Sequence, residues 1–274
     1  MDAMSLGQAV LLGLVQGLTE FIPISSTAHL RIVPALLGWP DPGAAFSAVL
    51  QLGTLAAVLA YFAGDVLRLS LAALRSLGSP EARRAPDARL AWAIAAGTVP
   101  IVVLGLSLQS WIETSFRALP VIAFMLAAVA LALMAAERRG EGSGSAHGLG
   151  LWRIVAIGFF QALALIPGAS RSGSTILGGL LFGLRRAEAA RFSFLLGIPA
   201  ILGSGLYQLP EVLDAISSGA MSSTALVGGL AAAALSGYGA IAFLLRFLQT
   251  HTTLAFSLYR LTLAGFLAVY FFWN

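Results

Sequence analysis

VQGLTEFIPISSTAHL, residues 15–30, interrupts a long apolar N-terminal run with an amide, an acid, three adjacent hydroxyls and an imidazole: Gln16, Glu20, Ser25, Ser26, Thr27 and His29. Pro23 lies at its centre. Proline, hydroxyls and charge interrupt the apolar run there. The apolar piece that follows, LRIVPALLGW, falls far short of the roughly 20 residues that span a bilayer as helix. Residues 3–40 are therefore expected to form a re-entrant helical hairpin instead of a crossing. Irregular backbone at membrane depth persists only where it is buried in protein or lines a wet cavity, so the polar tip should line one.

A second broken segment occupies residues 154–184, with PGASRSGST (167–175) at its middle and STILGGLLFGL beyond it. The two segments align: GLVQGLTEFIPISSTAH lies over GFFQALALIPGASRSGS with one residue of gap, matching Gly13 with Gly158, Gln16 with Gln161, Pro23 with Pro167 and Ser26 with Ser170. Further on, AAFSAVLQLG from Ala44 lies over AARFSFLLG around Phe192 and Ser193. Six uninterrupted apolar runs remain, at 44–62, 90–112, 118–136, 192–210, 222–245 and 252–273. Each half thus holds a hairpin and three spans. Three is odd, so the second half must enter the membrane upside down relative to the first. The expected fold is an all-α polytopic membrane protein in one domain, an inverted repeat of residues 1–137 and 151–274 joined by a flexible linker, 138–150.

Composition agrees. Hydrophobic residues make up 58% of the 274-residue chain and charged residues 10%, against roughly 25% charged in soluble domains. The 16 basic residues are all arginine, and 12 of them fall in loops on one side of this topology, with only Arg117 opposite. The positive-inside rule makes the arginine-rich side cytoplasmic and both termini periplasmic. This distribution accounts for the pI near 10.1 without nucleic acid, which is excluded as a partner. The absence of cysteine removes thiolate chemistry. Asp2, with no basic n-region or cleavage pattern near it, argues against a cleaved signal peptide.

Ionisable groups inside a membrane are costly and mark functional candidates. Gln16 and Glu20 are four apart and share a helix face, an oxygen pair that suits a hard cation; the alternative is Glu20 pairing with Arg31 or capping a helix. His29 lies three residues beyond Ser26, and imidazole is suited to proton transfer near neutrality. Ser26 with His29 is thus either a catalytic couple or an accident of spacing, with Ser25 and Thr27 beside it as helix caps. In the second tip Gly168 and Gly173 free the backbone, Ser170, Ser172, Ser174 and Thr175 supply hydroxyls, and Arg171 stands at the centre. A glycine-bearing loop opening a helix presents N–H groups to an anion, and guanidinium matches phosphate oxygens bidentately. The other reading has Arg171 neutralise Glu20 across the pseudo-twofold. Arg260 is expected to meet Glu20 or helix carbonyls, or to snorkel; His147 is read as solvated, His251 as interfacial.

QGLTEFIPISSTAH and PGASRSGST resemble the two signature motifs of the bacitracin-resistance type of undecaprenyl pyrophosphate phosphatase, and the resemblance runs along nearly the whole chain. It implies a bacterial inner-membrane enzyme that cleaves undecaprenyl pyrophosphate to the monophosphate and inorganic phosphate, uses a divalent cation (Mg2+ or Ca2+), and is reached from the periplasm. Carried over, the acidic motif falls on Gln16 and Glu20, the serine and histidine on Ser26 and His29, and the arginine on Arg171. Many members have glutamate where this chain has Gln16, so Glu20 should carry more of the metal binding. Ser26, His29 or an activated water all fit as the attacking group. Expected partners are the polyprenyl diphosphate lipid, the bilayer and a second copy in a homodimer. The rival reading is an inverted-repeat transporter or flippase for a lipid phosphate or another anion.

Overall fold

The computed structural model describes residues 4–219 and 221–273, with side chains described through residue 270. Asp2 and the chain ends, on which the signal-peptide and terminus expectations rest, lie outside the described residues. Those described are helical, with no strands among them. In order they form α1 (Leu6–Phe21), α2 (Ser26–Leu37), α3 (Gly43–Tyr61), α4 (Ala63–Gly78), α5 (Pro80–Arg84), α6 (Pro86–Ser107), α7 (Gln109–Glu113), α8 (Leu119–Glu137), α9 (Leu151–Ala162), α10 (Arg171–Leu181), α11 (Arg186–Ser217), α12 (Ser223–Phe247) and α13 (Leu254–Trp273).

Five of these, α3, α6, α8, α11 and α12, are long and apolar enough to cross a bilayer. The protein is multi-pass. Five of the six apolar runs map onto these helices, with one shortened: the run to residue 112 breaks at Leu108, and its end becomes the separate α7. The sixth run forms α13, whose described apolar stretch, Leu254–Tyr270, is shorter than the other five. At 32 residues and about 1.5 Å per residue, α11 outlasts the ~30 Å hydrocarbon core, running on through Pro199 and Pro210.

Both interrupted segments break where the prolines require. Ile22, before Pro23, is extended (φ −66°, ψ 134°) and closes α1; Ser25 then takes φ 76° and caps α2, its side chain accepting from the Ala28 amide. In the second segment Pro167 and Gly168 (φ 95°) lead to Ser170 at φ 70°, whose side chain accepts from the Gly173 amide as cap of α10. Among the described residues these two serines alone combine a side chain with left-handed φ, a conformation that costs about 1–3 kcal/mol and persists only where its surroundings over-determine it. Gly168 has a further reason to be glycine: a Cβ there would run into the Ile122 carbonyl.

The two halves are interleaved. The first helix of each packs most extensively on the second of the other's three long apolar helices, α1 on α12 and α9 on α6. Both contacts close on glycine: a Cβ at Gly13 would collide with the Gly229 carbonyl, and one at Gly158 with the carbonyl of Gly97. Gly158→Val must push α9 off α6, and overpacking of this kind costs about 1–3 kcal/mol; the variant should melt at lower temperature in detergent by intrinsic fluorescence.

The segment 138–150, expected to be a flexible linker, makes specific contacts with the helical body. The Gly144 amide donates to the Gly183 carbonyl at 2.9 Å and Arg185 N–H donates back to Gly144 at 3.2 Å. Arg186 bridges Glu141 and Glu137 at 2.6 and 2.8 Å. His147, read from sequence as solvated, places Nε2 2.9 Å from Asp87. Charged partners more than 40 residues away hold a glycine-rich segment whose own composition specifies nothing.

Candidate active site

The two tips meet. Gly168 N–H donates to Ser25 Oγ at 3.2 Å, and Ser172 Oγ donates to the Ile22 carbonyl at 3.3 Å, so each interruption satisfies backbone groups of the other. At this junction Glu20 is the hub. Its Oε1 takes a fork from Arg171, Nε at 3.2 Å and Nη2 at 3.0 Å. Its Oε2 accepts from Gln16 Nε2 at 2.9 Å and from the Ser26 hydroxyl at 2.5 Å. The ion pair is buried, with side-chain exposures of 9% for Arg171 and 3% for Glu20. Arg31, the other conceivable partner of Glu20, pairs with Asp41 instead.

A cavity of about 420 Å³ opens onto this junction. Glu20, Ser26, Thr27, Ser170 and Arg171 form its polar floor, and apolar walls come from α6 and α11 through Ile101, Val102, Leu106 and Ile201. Gln109, Glu113, Arg117 and Tyr207 line it further from the floor, with Tyr207 O–H donating to Gln109 Oε1 at 2.9 Å. The size suits a small-molecule site. Its combination of a charged, hydrogen-bonding floor and greasy walls suits an amphiphile with an anionic head.

The remaining sequence candidates fall into two groups. Ser25, Gly168, Ser172 and Gly173 build the tips themselves, while Gln16 stands behind Glu20. Thr175 Oγ1 donates to the Arg171 carbonyl at 2.7 Å and bonds with Ser193. The amides of Arg171 and Ser172 open α10, where a helix has no acceptors of its own. His29 is apart from these. Ser26 does not pair with it: the serine leans back over the break to Glu20, whereas His29 Nδ1 lies 2.7 Å from the Ser25 carbonyl and Nε2 2.7 Å from Tyr259 O–H. The imidazole does not line the cavity.

Tyr259, Ser193 and Gly197 escaped the sequence reading, whereas Arg260 takes one of its expected alternatives, helix carbonyls in place of Glu20. Tyr259 faces His29. Arg260 is fully buried and donates to carbonyls of both tips and of α8. Ser193 gives its carbonyl to Arg171 Nη1 at 3.3 Å. Gly197 leaves the space that the Arg171 guanidinium fills, since a Cβ there would overlap it. The aligned stretches AAFSAVLQLG and AARFSFLLG contain Ser193 and Gly197 and were the available signal, but alignment gave them no partner. Gly197→Ala should dislodge Arg171, and a displacement of about 1 Å can cost 10²-fold in catalytic efficiency; kcat/KM, measured beside an unchanged circular-dichroism spectrum, checks it.

Fold and site together define a multi-pass helical membrane protein whose buried centre, built from two broken helices, is adapted to an anionic head on an apolar body. The chain belongs to the Bacitracin resistance protein BacA family, which it matches over residues 9–266. It is 52% identical over 266 residues to the undecaprenyl-diphosphatase of Myxococcus xanthus (strain DK1622), covering 97% of this chain and 89% of that one. Identity is 49% over 271 residues with the undecaprenyl-diphosphatase of Chloroherpeton thalassium (strain ATCC 35110 / GB-78), covering 96% of each chain. With that of Prosthecochloris aestuarii (strain DSM 271 / SK 413) it is 48% over 267 residues, covering 95% of each.

Proposed function

We propose that this protein is an undecaprenyl-diphosphatase of the bacterial inner membrane, hydrolysing undecaprenyl pyrophosphate to undecaprenyl phosphate and inorganic phosphate and so recycling the lipid carrier of cell-wall synthesis. One observation carries the reading: Ser26 Oγ already donates to Glu20 at 2.5 Å while Arg171 forks onto the other carboxylate oxygen, at the floor of an apolar-walled cavity. A hydroxyl in contact with its base is an activated nucleophile. The names of the relatives favour hydrolysis over transport.

In this mechanism the diphosphate draws Arg171 from Glu20 to its terminal phosphate, assisted by the first-turn amides of α10 and by Ser170 and Thr27. Ser26 Oγ attacks the terminal phosphorus, Glu20 takes the hydroxyl proton, and the bond to the bridging oxygen breaks. Glu20 passes that proton to the leaving lipid phosphate. It then takes one from the water that hydrolyses the phosphoserine, returning it to Ser26 as inorganic phosphate departs. Arg171 stabilises phosphoryl charge throughout, where such groups act most strongly because water is excluded.

A divalent cation fits a restricted place. Gln16 Oε1 is a buried oxygen with no hydrogen-bond partner, directly beside Glu20. No cluster of three His, Cys, Asp or Glu occurs among the described residues, so the donor set suits Mg2+, which is commonly bound by one or two carboxylates, waters and substrate phosphates, better than the oxygen-rich shell of Ca2+. Gln16 and Glu20 would hold it, and when bound it would neutralise phosphoryl charge.

The topology belongs to the same proposal: two re-entrant hairpins in an inverted repeat, the cavity open to the periplasm, and both termini on that side. The reciprocal packing of α1 on α12 and α9 on α6, the matched caps Ser25 and Ser170 and the one-sided arginines support it. Because the chain has no cysteine, single cysteines report sidedness cleanly. Ser143→Cys should react with an impermeant maleimide only after the inner face is exposed, and Ser115→Cys from the periplasm. A homodimer, the remaining expected partner, is read from the mass of the detergent-solubilised particle.

The deciding experiment measures phosphate release from a polyprenyl diphosphate by the detergent-purified protein, with and without chelator, beside Ser26→Ala. Chelator-sensitive release lost in the variant supports hydrolysis through Ser26. Release that survives in the variant removes Ser26 as the attacking group. No release by intact, lipid-supplied protein sinks the hydrolase reading in favour of lipid-phosphate transport.

A further inference from the structure

Two consecutive residues of α13 reach the junction from behind, on the side away from the cavity. Arg260 is fully buried. Its Nη1 donates to the Pro23 carbonyl of the first tip at 3.1 Å, and its Nη2 to the Gly168 and Ala169 carbonyls of the second at 2.7 and 3.1 Å. Nε and Nη2 also reach the Leu126 and Met125 carbonyls of α8, both at 3.2 Å. A break in a helix at membrane depth strands carbonyls that need donors, and here one planar guanidinium serves the strays of both breaks. The separation between the tip bearing Ser26 and the tip bearing Arg171 is thereby tied to a single rigid group.

Arg260 also has no acidic partner among the described residues. A guanidinium keeps its charge, and Glu20 is already engaged by Arg171. Among the described residues, then, no carboxylate offsets the Arg260 charge, which lies behind the tip carbonyls it binds.

Tyr259 secures the first tip by another route. The Ser25 carbonyl can only accept, so His29 Nδ1 carries the proton; in the neutral ring Nε2 is then an acceptor and takes the Tyr259 hydroxyl. The rings are parallel with centroids 5.7 Å apart. Both ring nitrogens are thus engaged with groups other than Ser26. The carbonyl His29 holds belongs to Ser25, the residue in left-handed φ whose hydroxyl accepts from Gly168 in the opposite tip.

We propose that α13 sets the geometry of the reacting groups: Arg260 directly, and Tyr259 through His29, are positioning residues that hold the two tips in register, and His29 is a strut and not the proton carrier. The inference rests on the hydrolase reading above. It assigns work to residues that touch neither substrate nor reacting atoms.

The test compares kcat, KM and the pH profile of phosphate release for Tyr259→Phe, His29→Asn, His29→Ala, the double variant Tyr259→Phe/His29→Asn, and Arg260→Lys. Asparagine keeps a donor near the position of Nδ1 and cannot act as a base. Tyr259→Phe is expected to lower kcat about 3–10-fold, the scale of one hydrogen bond, with KM and the pH profile unmoved. His29→Asn should match it, the double variant should add little because the two act in one chain, and His29→Ala should be worse than His29→Asn. Arg260→Lys keeps the charge but cannot bridge both tips, so kcat should fall about 10²-fold with KM nearly held. If that variant does not fold, the Tyr259 and His29 arm decides. A loss of 10²-fold or more in His29→Asn with a limb of the pH profile erased makes His29 the proton carrier and overturns the proposal, as does a Tyr259→Phe or a folded Arg260→Lys enzyme with wild-type kcat. A wild type that releases no phosphate overturns the hydrolase reading and this inference together; an active wild type beside unchanged variants overturns this inference alone.

Discussion

Phosphate release by Glu20→Gln is expected to fall by about 10²–10⁴-fold, the range that a general base contributes. Glutamine keeps the shape of the side chain, can still accept from Arg171 and can still meet Ser26. It cannot take the hydroxyl proton. Two consequences separate loss of chemistry from loss of fold. Removing the carboxylate charge frees Arg171 and leaves the centre more positive, so KM for the diphosphate should hold or fall while kcat collapses. A buried cation stripped of its partner is destabilising, by about 3–5 kcal/mol where the partner is lost outright, so the variant should melt lower than the wild type and recover on adding inorganic phosphate. A Glu20→Gln enzyme with full kcat would remove the carboxylate from the mechanism.

Arg171→Lys is expected to lower kcat about 10²–10³-fold, the cost of removing one preorganised donor from a developing oxyanion. The charge remains, so Glu20 keeps a counterion and the fold should survive. What disappears is the fork: Arg171 meets Glu20 through two nitrogens, and a third bonds the Ser193 carbonyl that holds the guanidinium plane. Lysine presents a point charge with no such plane. Because the arginine meets phosphate in both ground and transition states, KM should rise as kcat falls, the opposite of the Glu20→Gln pattern. Measured together, the two variants distinguish the proton acceptor from the phosphate clamp.

Much of this protein was legible in its sequence because the bilayer makes the sequence state it. Apolar runs of spanning length, broken only where Pro23 and Pro167 stand, can hardly be read otherwise, and polar residues at those breaks had to be buried together or lining water. Gln16 with Glu20 was also legible, since a spacing of four on one helix is local geometry. Ser26 with His29 looked equally local and failed. Helical side chains lean toward the N-terminus, so Ser26, at the first position of α2, reaches back across the break to Glu20. One turn later His29 leans onto the Ser25 carbonyl four residues behind it.

The sequence by itself determined that the chain is a multi-pass membrane protein carrying two broken helices with an acid, hydroxyls and an arginine at their breaks, because hydrophobic length and proline act over a few residues at a time. Only the tertiary structure decided which of those groups touch. Glu20 meets Arg171 across 151 positions of sequence, Arg260 meets Pro23 across 237, His29 meets Tyr259 across 230, and Arg171 has room only because Gly197 lacks a side chain. Such pairings follow from how α1 and α9 lodge against the opposite halves on glycine contacts. A one-dimensional pattern encodes the period of each helix but not the angle and depth at which two helices meet.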